Sequence, residues 1–218
     1  MKTILCFGDS NTWGWNASCV DENGNPTRFG FDTRWPGILQ RELGSDYRII
    51  EEALNGRTTA FDDPFFTMRN GLAVLPMLLE THTPIDLLII MLGGNDTKRM
   101  YNMSPGEIAY ALELLVIAAV KRYSGGEPPK ILIIAPPHNP EGIAKGKFGF
   151  VFGSESATKS RALSQEYKSV AQNQGCFFLD AHIAGAVIDG EDQVHMGESG
   201  HAALGKAVAQ KVIDIFES

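Results

Sequence analysis

Five short apolar runs constrain the fold of this 218-residue chain more than any other feature: Thr3–Phe7, Tyr47–Glu51, Leu87–Leu92, Ile131–Ala135 and Cys176–Leu179. Turn-forming residues bound each run. Most are nearly continuous rather than alternating, the pattern of strands covered on both faces. Segments with helical spacing lie between them. Trp35, Ile38, Leu39 and Leu43 recur on one helix face, with Pro36 in the first turn, where an N–H has no intrahelical partner to lose. Ser104-Pro105-Gly106-Glu107 has the form of a capping box and opens a helix carrying Ile108, Leu112, Leu115 and Ala119 on one face. A third helix is expected over 156–174, stopped by Gly175, and a last one over 199–216 with Ser199 as its N-cap. Strands alternating with helices predict right-handed βαβ units. The expected class is therefore α/β, a three-layer α/β/α sandwich with a central parallel sheet. Without a linker, repeat or low-complexity tract, residues 1–218 read as one domain.

Composition narrows the function classes. Hydrophobic residues make up 44% and charged residues 21%, with a formal net charge of −7. An acidic chain without a basic stripe is not expected to bind nucleic acid, and basic pairs such as Lys121-Arg122 read as solvated helix ends. The longest apolar run, Leu87–Leu92, is too short to span a bilayer, so no membrane partner is expected. Met1-Lys2-Thr3 leads straight into a strand with no signal-peptide pattern. Cys6, Cys19 and Cys176 are odd in number and widely spaced, which fits reduced thiols in the cytoplasm better than disulfides or a zinc site. No histidine pair has metal spacing, and neither a G-x-x-x-x-G-K-[ST] nor a G-x-G-x-x-G loop occurs, so neither a metal nor a cofactor is expected.

Open parallel sheets bind ligands beyond the carboxyl ends of their strands. Gly8-Asp9-Ser10 follows the first strand, Asn55-Gly56-Arg57-Thr58 the second and Gly93-Gly94-Asn95-Asp96 the third, while His195 precedes the last helix. All four are predicted to face one sheet edge. A serine hydroxyl needs a base, and a histidine serves near neutral pH. Asp192, three residues before His195, can reach the far imidazole nitrogen in a tight loop and fix its tautomer. The backbone N–H groups of Ser10 and Gly56 and the side-chain amide of Asn95 supply donors for an oxyanion. The constellation reads as a serine hydrolase acting on esters, whose rate falls on the acid side as His195 protonates.

Each residue also has a plainer reading. Gly-Asp-Ser is a common turn. His82, His138 and His182 read as surface or core residues, His201 as a helix residue and the alternative base. Asp189 and Glu191 are alternative partners for His195, and Asp9 and Asp96 are expected to hold their loops by hydrogen bonds. Trp13 and Trp15 either line the acyl site or belong to the core. Residues 16–33 and 136–153 read as long loops, of a kind often functional. Phe148, Phe150 and Phe152 in the second could form a pocket wall, a subunit contact or a buried hairpin arm. A lipase-type G-x-S-x-G elbow is absent.

The blocks FGDSN (Phe7–Asn11), LNGRT (Leu54–Thr58), GGND (Gly93–Asp96) and DQVH (Asp192–His195) resemble, in order and strand context, those of the SGNH hydrolase superfamily, which includes the GDSL-type esterases. The resemblance implies a flavodoxin-like sandwich and carries the family's roles to Ser10, Gly56, Asn95, Asp192 and His195. Within the superfamily, ILCFGDSNTWGW (Ile4–Trp15), IEEALNGRTT (Ile50–Thr59) and IIMLGGNDTK (Ile89–Lys98) are similar to the mycobacterial-type arylesterase and acyltransferase group. Members of that group hydrolyse short acyl esters, some transfer the acyl group to alcohols or peroxide, and some form ring-like homo-oligomers. Asn11, which flanks the nucleophile, stands where many members have leucine and so bears on the shape of the acyl pocket; Asn11 and Trp13 are the candidate substrate-binding residues. The expected partner is a small-molecule ester. Deacetylation of carbohydrates and a non-catalytic binding role on the same fold are the alternatives.

Overall fold

The computed structural model describes residues 1–121, 123–124 and 126–217. In chain order the elements are β1 (Lys2–Gly8), α1 (Ser10–Trp13), β2 (Trp15–Val20), β3 (Pro26–Arg28), α2 (Trp35–Leu43), β4 (Tyr47–Ala53), α3 (Gly71–His82), β5 (Leu87–Met91), α4 (Pro105–Lys121), β6 (Lys130–Ala135), α5 (Gly149–Phe152), α6 (Glu155–Gln174), β7 (Phe177–Asp180) and α7 (Glu198–Glu217). β1, β4, β5, β6 and β7 form one parallel sheet in the order β4-β1-β5-β6-β7. Counting only these strands, the order is 2-1-3-4-5, the flavodoxin-like winding. Its direction reverses between β1 and β5, and the crevice beyond their carboxyl ends is where such a sheet places a ligand.

Strand periodicity divides the core into two halves. Ile4 and Cys6 of β1, Leu87 and Ile89 of β5, and Leu132 and Ile134 of β6 face α2 and α7. Leu5 and Phe7, Leu88 and Ile90, and Ile131 and Ile133 face α3, α4 and α6. Because both faces are dry, the strands read as continuous apolar runs. Burying one such leucine or isoleucine stabilises the fold by about 1.5–3 kcal/mol. α7 lies unusually close to α2, since a Cβ added at Gly205 would sit 2.6 Å from Ile38 Cγ2.

Local chemistry accounts for the helix ends. Ser104 and Glu107 form the expected capping box, with Ser104 N–H donating to Glu107 Oε2 at 2.8 Å and Glu107 N–H to Ser104 Oγ at 3.3 Å. Gly175 closes α6 in the left-handed region at φ 65°. Lys121 is exposed at the end of α4, while Arg122 lies outside the described residues. Among the described residues no helix is long and apolar enough to cross a membrane.

Four features differ from the sequence reading. α3 has no counterpart there, because Leu72, Val74, Leu75, Leu78 and Leu79 leave little polar face and Pro76 interrupts the pattern. The loop 16–33 contains an antiparallel hairpin, β2 against β3, with Trp15 opposite Arg28. Phe150 and Phe152 lie on the short helix α5, with Phe148 at its N-cap, rather than on a hairpin arm; Phe152 is buried against Ile143 and Ala157 and Phe150 is exposed. Ser199 does not cap α7: the helix starts at Glu198, and Asp189 holds its end by accepting from Gly197 N–H (2.5 Å) and Ser199 Oγ (2.8 Å).

Candidate active site

β1 delivers the chain to Asp9, whose carboxylate accepts from Asn11 N–H at 2.9 Å and caps the single turn α1. Ser10 opens that turn and is buried but for 5% of its surface. The segment before α7 folds back in a tight turn: Gln193 N–H donates to Gly190 O, and Gly190 N–H to His195 O at 3.0 Å. This turn brings Asp192 and His195, three residues apart, into contact. His195 Nδ1 lies 2.6 Å from Asp192 Oδ2, and its Nε2 lies 2.8 Å from Ser10 Oγ.

The tautomer follows from these partners. A carboxylate only accepts, so Nδ1 carries the proton and Nε2 turns its lone pair to the serine hydroxyl. Burial alone would raise the Asp192 carboxyl, but hydrogen bonds from the His195 ring and from Val194 and His195 N–H outweigh it and hold the group below the ordinary carboxylate range. Asp192 Oδ1 accepts both backbone bonds, at 3.0 and 3.1 Å. Trp15 stacks on the imidazole with centroids 5.1 Å apart, and Phe148 meets it edge-on at 6.4 Å. A hydroxyl, imidazole and carboxylate in this row can move a proton off the hydroxyl without creating an isolated charge.

The alternatives weighed for this row lie elsewhere. His201 is fully buried in α7, where its Nδ1 accepts from Trp35 N–H at 3.3 Å, and burial pushes it down to about 4. Asp189 caps α7, and Glu191 is exposed. His82 contacts Glu52 at 2.6 Å, and His138 stacks on His182 at 4.0 Å. Trp13 and Trp15 are both half-buried rather than core residues; Trp13 carries the Arg28 guanidinium 4.9 Å from its ring centroid.

β5 supplies the second wall. Gly93 has φ +109°, and a Cβ there would sit 2.1 Å from Tyr167 Oη, so only glycine fits the turn. Tyr167 donates to Leu92 O at 3.1 Å. Beyond the turn, Asn95 Nδ2 donates to Arg57 O at 3.1 Å and to Asp9 Oδ2 at 3.3 Å, which ties it to both neighbouring loops. Gly56, at φ +80°, belongs to the turn closed by Arg57 N–H donating to Leu54 O. The sequence places Arg57 in the loop after the second strand without giving it a role of its own. Its buried guanidinium donates to Gly8 O and Glu52 O and lies 4.4 Å from the Phe7 ring centroid, pinning the ends of β1 and β4 together. Position alone, directly after the Asn55-Gly56 turn, is the signal that marked it.

A cavity of about 10 Å³ opens beside Ser10, lined by Asp9, Asn11, Asn95 and Asn139 on its polar side and Pro136, Phe152, Ile188 and Val194 on its apolar side. That is room for about one water molecule. Trp13 is not part of this lining, whereas Asn11 is.

Asp96 holds the wall from behind, accepting from Thr59 N–H at 2.9 Å and Thr59 Oγ1 at 2.5 Å. Burial pushes its carboxyl up to about 6. A group raised in the folded state gives stability that is complete below its unfolded value and is lost as pH rises through the folded one. Asp96 therefore weakens the fold progressively between about pH 4 and 6. Asp96→Asn keeps an acceptor for Thr59 and removes the charge. It is expected to be more stable than wild type at pH 8 by on the order of 3 kcal/mol, with the gain vanishing near pH 4, as measured by urea unfolding at both pH values.

The model of the GDSL-like lipase/acylhydrolase family matches residues 6–203. In structure the chain is similar to Est24, a carbohydrate acetylesterase from Sinorhizobium meliloti, with 39% identity, a TM-score of 0.90, and coverage of 99% of this chain and 100% of that one. It is equally similar to the aryl esterase of M. smegmatis, at 38% identity and a TM-score of 0.89 over 98% of this chain and 99% of that one. An arylesterase of Vibrio mimicus is 35% identical over 101 residues, which span 45% of this chain and 40% of that protein.

Proposed function

This chain belongs to the GDSL-like lipase/acylhydrolase family, a family of carboxylic ester hydrolases, and from that premise we propose that it cleaves short-chain acyl esters through an acyl-enzyme on Ser10. The observation that carries the reading is the hydrogen-bonded row Ser10–His195–Asp192, at 2.8 and 2.6 Å. Ser10 Oγ attacks the ester carbonyl while His195 Nε2 takes its proton. Collapse of the tetrahedral intermediate breaks the bond to the alcohol, which leaves with that proton. Water then attacks the acyl-serine in the same way, releasing the acid and restoring the hydroxyl. An alcohol in place of water gives acyl transfer.

The oxyanion is assigned to the N–H of Ser10, the N–H of Gly56 and Asn95 Nδ2. Ser10 N–H lies in the first turn of α1, where no intrahelical acceptor exists. Asn95 reaches the oxyanion by giving up its longer contact, the 3.3 Å bond to Asp9. The close apolar wall of Pro136, Phe152, Ile188 and Val194 beside Ser10 favours a short acyl group.

Hydrolysis of p-nitrophenyl esters from acetate to octanoate tests this. Activity is expected to peak at acetate and fall steeply with chain length, and a maximum at octanoate would overturn the small acyl site. The likeness to Est24 favours a second reading, deacetylation of acetylated carbohydrates by the same residues. Faster turnover of acetylated sugars than of aryl acetates would select it, because the alcohol site then decides. Inertness toward every ester and toward a reactive phosphonate would leave only a binding role.

A further inference from the structure

We infer that Asn11 is a positioning residue that fixes the base to the nucleophile, an inference that rests on the reading of Ser10 and His195 given above. Its side-chain amide reaches across the site to the backbone on both sides of His195. Asn11 Nδ2 donates to Val194 O at 3.3 Å, and Asn11 Oδ1 accepts from Met196 N–H at 2.9 Å. The amide thus pairs with the histidine loop as a neighbouring strand would.

From Val194 N–H to Met196 N–H the five backbone polar groups can be followed in order. Val194 N–H and His195 N–H donate to Asp192 Oδ1, and His195 O accepts from Gly190 N–H. The remaining two, Val194 O and Met196 N–H, go to Asn11. Asp192 and Gly190 belong to the loop itself, so their bonds shape it without locating it. Asn11 adjoins Ser10 in the chain, so its two bonds set where the imidazole stands relative to Oγ. Met196 is buried, so no water replaces the lost acceptor.

Only a side chain that donates and accepts at once fits both contacts. Leucine branches at the same carbon but does neither, and aspartate accepts without donating. Because the reacting atoms must meet at hydrogen-bond distance, a small drift of the imidazole slows acylation without weakening substrate capture.

The test compares wild type, Asn11→Leu and Asn11→Asp on p-nitrophenyl acetate, with sites counted by complete reaction with diethyl p-nitrophenyl phosphate. We expect kcat per titrated site to fall between about tenfold and a hundredfold in Asn11→Leu, with KM within about twofold of wild type. Asn11→Asp, which keeps the Met196 contact, is expected to lose kcat in the same way and carries the test if the leucine variant does not fold. Wild-type kcat per titrated site in both variants, with activity lost only through fewer titratable sites, would show a purely structural role and overturn the inference. A rise in KM alone would overturn it too, making Asn11 a substrate contact. Absence of any wild-type serine that reacts with diethyl p-nitrophenyl phosphate would overturn the reading of Ser10 itself, and the clamp with it.

Discussion

Ser10→Ala is expected to lower kcat on p-nitrophenyl acetate by at least about 10³-fold, because the acyl-enzyme path closes and only binding and oxyanion stabilisation remain. The side chain removed is small and makes one contact of consequence, to His195 Nε2. The loss of one hydrogen bond costs about 0.5–1.5 kcal/mol of stability, so the variant is expected to fold and melt close to wild type. Phosphonate labelling, read by intact mass, is expected to disappear with the activity. A variant that hydrolyses the ester at the wild-type rate would place the nucleophile elsewhere.

The layers of the fold are legible in the chain because most strands of the main sheet read as nearly continuous apolar runs and α4 and α6 carry end signals of their own. The capping box at Ser104 and the stop at Gly175 lie where the sequence puts them. α3 is illegible for a physical reason: with Leu72, Val74, Leu75, Leu78 and Leu79 together it has little of the amphipathic contrast that periodicity detects, and Pro76 argues against a helix that tertiary packing nonetheless enforces. The β2–β3 hairpin is equally hidden, since it pairs over few residues with a register shift and carries exposed polar side chains that read as loop.

At the site, the proximity of Asp192 to His195 is legible because it is local, a three-residue spacing inside a turn closed by Gly190. Ser10 and Asn95 are legible through position, each just beyond a strand flanking the switch point. The contacts of Asn11 span 183 and 185 residues, and no spacing rule reaches that far. The same holds for Trp15, whose hairpin must form before its ring can cover the imidazole. Arg57 shows the limit most clearly. A buried guanidinium is unusual, and the converging carbonyls of Gly8 and Glu52 help to make it tolerable.

Asp192→Asn tests the orientation of the base apart from the integrity of the loop, and it is expected to reduce kcat by about 10³–10⁴-fold. Two demands meet on this side chain. Its Oδ1 accepts from Val194 and His195 N–H, and its Oδ2 accepts from the imidazole. An amide can satisfy the backbone only by keeping its oxygen there, which turns its NH₂ toward Nδ1. The imidazole must then offer a lone pair at Nδ1 and carry its proton on Nε2, facing Ser10 as a donor that cannot take the hydroxyl proton. The loop bonds persist, so the melting temperature is expected to stay near that of wild type. Asp192→Ala, which loses the loop bonds as well, is expected to melt lower. Measuring kcat and melting temperature for both variants separates the two roles. An asparagine variant within tenfold of wild-type kcat would mean that His195 keeps its working tautomer without the carboxylate, and the proton path assigned here would fail.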